Sequence, residues 1–295
     1  MSEQDAFCLQ FLRKKNTELS AVVKSDAYGL GIAKIVPEIE RYGVRSFFTA
    51  TISEAIKVRS YSRDSEIFTL NGFDFLKSNL YREYNITPII NNILEAQKFI
   101  EIFNQTQKVA IQLNTGMNRL GLDKQCLLEN IDIVKSLPLT LILSHLACAD
   151  DISNKENITQ KDLFIELCKT FPKMRKSIAA SHGTLLGNEF HFDMVRPGIG
   201  LYGGIKSNGL RQVIQIKAPV LQSFKIEKDL ELIISPKSNA FPVAAMVINS
   251  MLLICDGVFP PAITPLVLLP AVNADLLPTI KSPKSVPLPV EANVI

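Results

Sequence analysis

From residue 20 to about 205, short β-rich runs alternate with longer segments of helical periodicity. "AVVKSD" (21–26) precedes "GIAKIVPEIERYG", in which Ile32, Ile35, Val36 and Ile39 recur at the spacing of one helical face. "RSFFTA" (45–50) precedes "TISEAIKVRSY", where Thr51 and Glu54 stand three apart in the pattern of a capping box. "SEIFTL" (65–70) and "ITPII" (86–90) follow, and Asn91 and Asn92 open the helical "ILEAQKFIEIFNQ". "KVAIQLN" (108–114) leads to a helix expected around 123–137, and "LTLILSHLA" (139–147) to one around 157–171. "SIAAS" (177–181) and "FDMVRPG" (192–198) are the last two short runs.

Runs that are apolar on both faces and alternate with helices indicate a parallel sheet covered on both sides. About eight of them within this stretch predict an α/β fold of the (β/α)8 TIM-barrel type. A doubly wound open sheet is the alternative, although no GxGxxG follows the first run. In a barrel, chemistry belongs at the C-terminal ends of the strands. Lys24, Asn114, His145, Ser181 and Arg196 each close a β-run.

The pattern changes after about residue 210. "QVIQIKAPVLQSFKIEKDLELI" still reads as β-structure with a turn. From Ser235 onward come ten of the sixteen prolines, one glycine and six charged residues, a composition hostile to helices and to central strands. The expected organisation is therefore a barrel over residues 1–209 and a partial, degenerate β-rich domain over 210–295, irregular from about 234. The apolar stretch 241–259 is long enough to be weighed as a membrane span, but Asn249, Ser250 and Asp256 argue against one.

Composition narrows the function. A net charge of +3 on 295 residues, with no basic run interleaved with aromatics, speaks against nucleic acid or an acidic membrane as partner. The five cysteines are scattered and show neither CxxC nor metal-ligand spacing, as in a reducing compartment. The polar N-terminus does not read as a signal peptide, so a cytoplasmic location is expected.

Four stretches carry candidate chemistry. Lys24 follows Ala-Val-Val and precedes Tyr28, Gly29 and Gly31. It is either a strand-end lysine in solvent or a desolvated amine held for covalent chemistry. In "IQLNTGMNRLGL" (111–122), Gly116 and Gly121 bracket Met117 and Arg119; the arginine suits a carboxylate, or pairs with an acid on the barrel rim. His145 in "LSHLACADD" ends a strand, where a structural role competes with a catalytic one. "SHGTLL" (181–186) and "DMVRPGIGLYGG" (193–204) fall where such barrels bind phosphate, with the Ser181 hydroxyl and the N–H groups of Gly198 and Ile199 as donors. Arg196 only donates hydrogen bonds. Aimed at a pyridine nitrogen, it would keep that nitrogen unprotonated and weaken the ring as an electron sink.

In order and spacing, "VVKSDAYGLG", "NTGMNRLGL", "SHLACADD" and "VRPGIGLYGG" resemble the signature blocks of bacterial alanine racemases, enzymes dependent on pyridoxal 5'-phosphate, over roughly residues 20–230. The resemblance implies that Lys24 carries the cofactor and serves as one of two catalytic bases. It implies that Tyr28, Ser181, Gly198 and Ile199 hold the phosphate, with Tyr202 also in the cofactor-binding set. Arg196 would face the pyridine nitrogen with His145 in support, and Arg119, with Met117 beside it, would lie near the substrate carboxylate. Interconversion of L- and D-alanine for peptidoglycan precursors in a head-to-tail homodimer is the implied function.

The sequence departs from the family pattern in four places. Gln112 stands where a modified lysine is frequent, and it retains the capacity to hydrogen-bond Arg119. Ser177 stands where a histidine is frequent, and little of the strand before the barrel is present. The tyrosine expected after "KIEKDLELI" as the opposite-face base is missing, since no tyrosine follows Tyr202. Weak racemisation is the resulting expectation. A barrel that binds pyridoxal phosphate without catalysis, or an inactive racemase fragment, is the alternative.

Overall fold

The structure, a computed structural model, describes residues 16–205 together with the backbone of 244–248 and 251–255. The chain divides into two compact units, residues 1–217 and 218–295. In the second, Ala244–Ile248 and Met251–Cys255 pair as antiparallel strands, within the segment expected to be irregular. The remainder of that expected domain lies outside the described residues. Among the described residues no helix is long and apolar enough to cross a membrane.

The first unit is the expected barrel. Seven parallel strands run in chain order: Ala21–Val22, Ser46–Thr49, Glu66–Thr69, Thr87–Ile90, Val109–Gln112, Leu139–Leu143 and Arg175–Ser177. The eighth, Met194–Val195, pairs in parallel with Glu18–Leu19, the leading half of the first strand. The bridge Ala180↔Arg196 joins it to the seventh strand's extension, which closes the ring. Each of the eight β-runs read from the sequence overlaps a strand, the 177–181 run only at Ser177.

Helices behave largely as the pattern requires. The helix Ile52–Arg59 is opened by Thr51, whose side chain accepts from Glu54 N–H while the Glu54 carboxylate accepts from Thr51 N–H. Asn92 caps Ile93–Phe103 in the same way through Glu95 N–H. The helix expected over 123–137 is two, Lys124–Glu129 and Ile131–Ser136, broken at Asn130 with φ −120° and ψ 27°. A short helix, Ser78–Glu83, is too brief to show a period in the sequence.

Two cores follow from the two-residue repeat of strands. Between strands and helices lies the larger one, with Ile32, Val36, Phe47, Ile67, Phe99, Ile111 and Phe164 buried. Inside the barrel, Val22, Phe48, Phe68, Ile89, Ala110, Leu141, Leu143 and Met194 form a dry plug, with the Phe48 and Phe68 rings stacked at 4.7 Å. Two residues further along each strand, the same inward alignment reaches the C-terminal mouth. The positions there are Lys24, Ala50, Leu70, Asn91, Gln112, His145 and Arg196. Packing of the plug thus fixes which side chains face the mouth.

Candidate functional site

Lys24 is half-buried and begins an unusual segment. Ser25, Asp26, Ala27 and Tyr28 have φ of 53°, 53°, 56° and 56°, a full turn of left-handed helix built from non-glycine residues. Each such residue costs about 1–2 kcal/mol, so the turn persists only because its surroundings hold it. Inside it, Ala27 N–H donates to Val23 O at 2.9 Å and Gly29 N–H to Ser25 O at 2.9 Å. Outside it, Ser25 N–H donates to Glu54 Oε1 at 2.7 Å, and Asp26 Oδ1 accepts from Ile32 N–H at 2.9 Å and from Lys57 Nζ at 2.7 Å.

The turn delivers Tyr28 to the end of the neighbouring eighth strand. A Cβ added at Gly198 would collide with the Tyr28 hydroxyl, so that glycine is where the phenol passes over the backbone. Ser181 Oγ accepts from Gly198 N–H at 2.8 Å and from Gly200 N–H at 3.0 Å. A phosphate oxygen would suit the same pair of amides, with the hydroxyls of Ser181 and Tyr28 beside it. Gly200 N–H thus joins the donors read from the sequence at Gly198 and Ile199. Tyr202 donates its hydroxyl to Val22 O at 3.0 Å, and its ring lies 5.0 Å from that of Tyr28. It pins the strand that carries Lys24.

Arg196 is fully buried beneath this cradle, and burial pushes its pKa down to about 9. The guanidinium donates to Ser177 Oγ and to Ser144 O (the latter at 2.5 Å), and no acid neutralises it among the described residues. Ser177, where the family pattern has a histidine, thus takes up the arginine directly, and its hydroxyl donates a hydrogen bond to Met194 O at 2.6 Å. His145 faces Arg196 without a hydrogen bond to it. Burial first, then the charges of Arg196, Arg119 and Lys24, lower the His145 pKa from 6.5 to about 4. Three groups read at separate strand ends, Lys24, His145 and Arg196, therefore share one field with Arg119 from the loop.

That histidine is expected to make the fold acid-labile. Its folded pKa lies below the unfolded value, so the unfolded chain binds the extra proton and stability falls as pH drops from 6.5 towards about 4. At 1.36 kcal/mol per pKa unit, the loss across that window is about 3 kcal/mol. Urea midpoints measured from pH 7 to 4 are expected to show this slope, and His145→Gln to flatten it; an unchanged slope in the variant would refute the assignment.

The loop carrying Met117 and Arg119 is organised from Asn114. Its Oδ1 accepts from Gly116 N–H at 3.1 Å and Asn118 N–H at 3.0 Å, and Asn118 sits at φ 55°. Arg119 is exposed and pairs with no acid among the described residues, contrary to the rim ion pair that was its alternative. Gln112 does not bond Arg119; its Nε2 donates to Leu120 O at 3.4 Å. Beside it, Asn91 donates to Leu70 O at 3.0 Å, and its buried Oδ1 has no partner.

Sequence reasoning missed Gln160, which ties two of these stretches together. Its Nε2 donates to His145 O at 3.1 Å and Thr115 Oγ1 at 3.3 Å, and its Oε1 accepts from Ala147 N–H at 2.8 Å. A signal existed: Asn157 and Gln160 occupy the buried face of the helix Glu156–Cys168, continued by Phe164 and Leu167. Polar residues on such a stripe need partners inside.

Comparison with known proteins agrees with the geometry. Residues 8–206 match the family described as alanine racemase, N-terminal domain. The alanine racemase of Rickettsia canadensis (strain McKiel) is 38% identical over 215 residues, covering 70% of this chain and 60% of that protein. That of Rickettsia akari (strain Hartford) is 35% identical over 214 residues with the same coverage. Among solved structures, alanine racemase from Bartonella henselae with covalently bound pyridoxal phosphate superposes with a TM-score of 0.66 at 34% identity, over 71% of this chain and 64% of that one. The chain thus spans about 60% of the curated relatives' length.

Proposed function

Because the chain belongs to the alanine racemase family through its N-terminal domain, we propose that it binds pyridoxal 5'-phosphate through Lys24 and interconverts L- and D-alanine. One observation carries this reading: Lys24, Arg119 and Arg196 converge on His145 at a mouth that also holds the Ser181–Gly198–Gly200 cradle. A mouth with three cations suits a ligand bearing a phosphate and a second anionic group.

The cofactor supplies an aldehyde and an electron-withdrawing ring that acidifies the α-proton of a bound amino acid. In this reading Ser181, Gly198, Gly200 and Tyr28 hold the phosphate, and Arg196 faces the ring nitrogen. A buried cation there keeps the nitrogen unprotonated and disfavours transamination. Arg119 receives the alanine carboxylate, and Lys24 Nζ takes or returns the α-proton on its own face. A second acid–base group is needed on the other face, and within these 295 residues no tyrosine follows Tyr202. Racemisation by this chain alone is therefore expected to be slow, about 10²–10⁴-fold below a two-base enzyme. Peptidoglycan precursor supply, a cytoplasmic location and a homodimer belong to the same reading.

The test adds pyridoxal phosphate and L-alanine to the purified full chain. Borohydride reduction followed by mass spectrometry locates the attachment, and a stereospecific assay follows D-alanine. The expected result is a reduced adduct on Lys24 and slow D-alanine formation. An adduct without D-alanine would indicate a binding protein, and no adduct on Lys24 would overturn the reading.

A further inference from the structure

We propose that the Glu54 carboxylate is a positioning residue for Lys24: it holds the left-handed turn that aims Lys24 and Tyr28 into the barrel mouth. The inference rests on the reading of Lys24 as the amine that takes the cofactor. Its basis is the number and placement of the amides that Glu54 gathers. Oε1 accepts from Ser25 N–H at 2.7 Å, one residue beyond Lys24. Oε2 accepts from Ala50 N–H at 2.8 Å and from Thr51 N–H at 3.4 Å. Ala50 is the second strand's contribution to the mouth, so one carboxylate joins two neighbouring strand ends where the chemistry is expected.

Capping its own helix requires only the Thr51 bond of this set. The Ser25 bond, 29 residues away in sequence, is not part of a capping box. Ser25 N–H precedes the turn's internal bonds, as the first amides of any helix do, and so depends on a side chain for its acceptor. The other clamp acts elsewhere, with Asp26 Oδ1 also taking the Ile32 N–H beyond the turn. Asp26 and Lys57 are each 48% exposed, so water screens their attraction, and they act on the middle of the turn rather than on its start. Tyr202, through Val22 O, steadies the strand before Lys24, and Glu54 steadies the turn after it.

A structural cap and a positioning residue differ in what their loss moves. The experiment compares full-length wild type, Glu54→Ala and Thr51→Ala. It reads the rate at which pyridoxal phosphate is trapped on Lys24 by borohydride, and the hydrogen exchange of residues 21–31 without cofactor. Thr51→Ala removes the cap but leaves the Ser25 bond. We expect it to lose stability while keeping wild-type trapping and exchange. Glu54→Ala is expected to slow trapping by about 10-fold or more, in keeping with loss of a charge-assisted hydrogen bond, and to speed exchange at 25–28. Should Glu54→Ala not fold, Glu54→Gln, which retains one acceptor oxygen, is read the same way with a smaller change. Wild-type trapping and exchange in the Glu54 variants would overturn the inference, as would equal changes in Thr51→Ala. If wild type itself is not trapped at Lys24, the functional reading fails, and hydrogen exchange alone decides whether Glu54 holds the turn.

Discussion

Replacing Lys24 with alanine is expected to abolish covalent capture of pyridoxal phosphate and to cut D-alanine formation by at least about 10²–10⁴-fold, with the barrel intact. The reasoning separates the lysine's chemistry from its packing. Lys24 stands in the mouth layer two positions beyond Val22, half-buried, and its side chain makes none of the hydrogen bonds that hold its turn. Losing the side chain leaves the turn's clamps in place, so the change in stability should stay within about 0.5 kcal/mol. Its charge also vanishes from the field on His145, where it is the smallest of the named causes. Mass spectrometry after borohydride reduction and a thermal melt report the two halves. A variant still labelled on another lysine while making D-alanine would refute the role given to Lys24.

Gly121→Ala is expected to cost about 2–5 kcal/mol, combining backbone strain with overpacking. The loop bearing Arg119 doubles back on the strand it left: Leu122 N–H donates to Gln112 O at 3.0 Å, and Asn114 N–H to Leu122 O at 2.8 Å. Gly121 lies in that return at φ 102°, and an added Cβ would come within 2.8 Å of Gln112 O and 2.9 Å of Asn114 N. Both are backbone atoms of the strand, which cannot swing aside. Gly116 is the internal comparison. It too has a positive φ, 135°, but its Cβ would meet only the Gln160 side chain, at 3.3 Å. Denaturant titrations should show Gly121→Ala clearly below Gly116→Ala. Equal midpoints would mean that the return is not the tight contact described.

The barrel was legible because its strands are buried on both faces. Such runs stand out against amphipathic helices, and the residue closing each run then falls at the mouth without further assumption. Lys24, His145, Ser181 and Arg196 were found in that way. What escaped depends on tertiary context. Nothing in Ser-Asp-Ala-Tyr announces four consecutive left-handed residues, because the groups that hold them, Glu54 and Lys57, lie some thirty positions downstream. The place of Gly200 N–H beside Ser181 is a matter of backbone direction in a loop, to which residue type is almost silent. Asn130 interrupts a helical pattern whose apolar spacing continues across it. Gln160 was within reach, since a polar residue on a buried stripe is visible in sequence, but its three partners are not.

Tyr202 and the Val22 carbonyl it grips are 180 residues apart in the chain, and the first strand's other neighbour in the ring is the last. During synthesis at about 5–20 residues per second, the amine emerges roughly 10–40 s before the strand that must lie beside it. Throughout that interval the ring has an open seam and the phosphate cradle does not exist. Under the proposed function, cofactor capture would therefore follow completion of the ring. It would report ring closure itself, and a saturating ligand would stabilise the closed form at the expense of every partly made one.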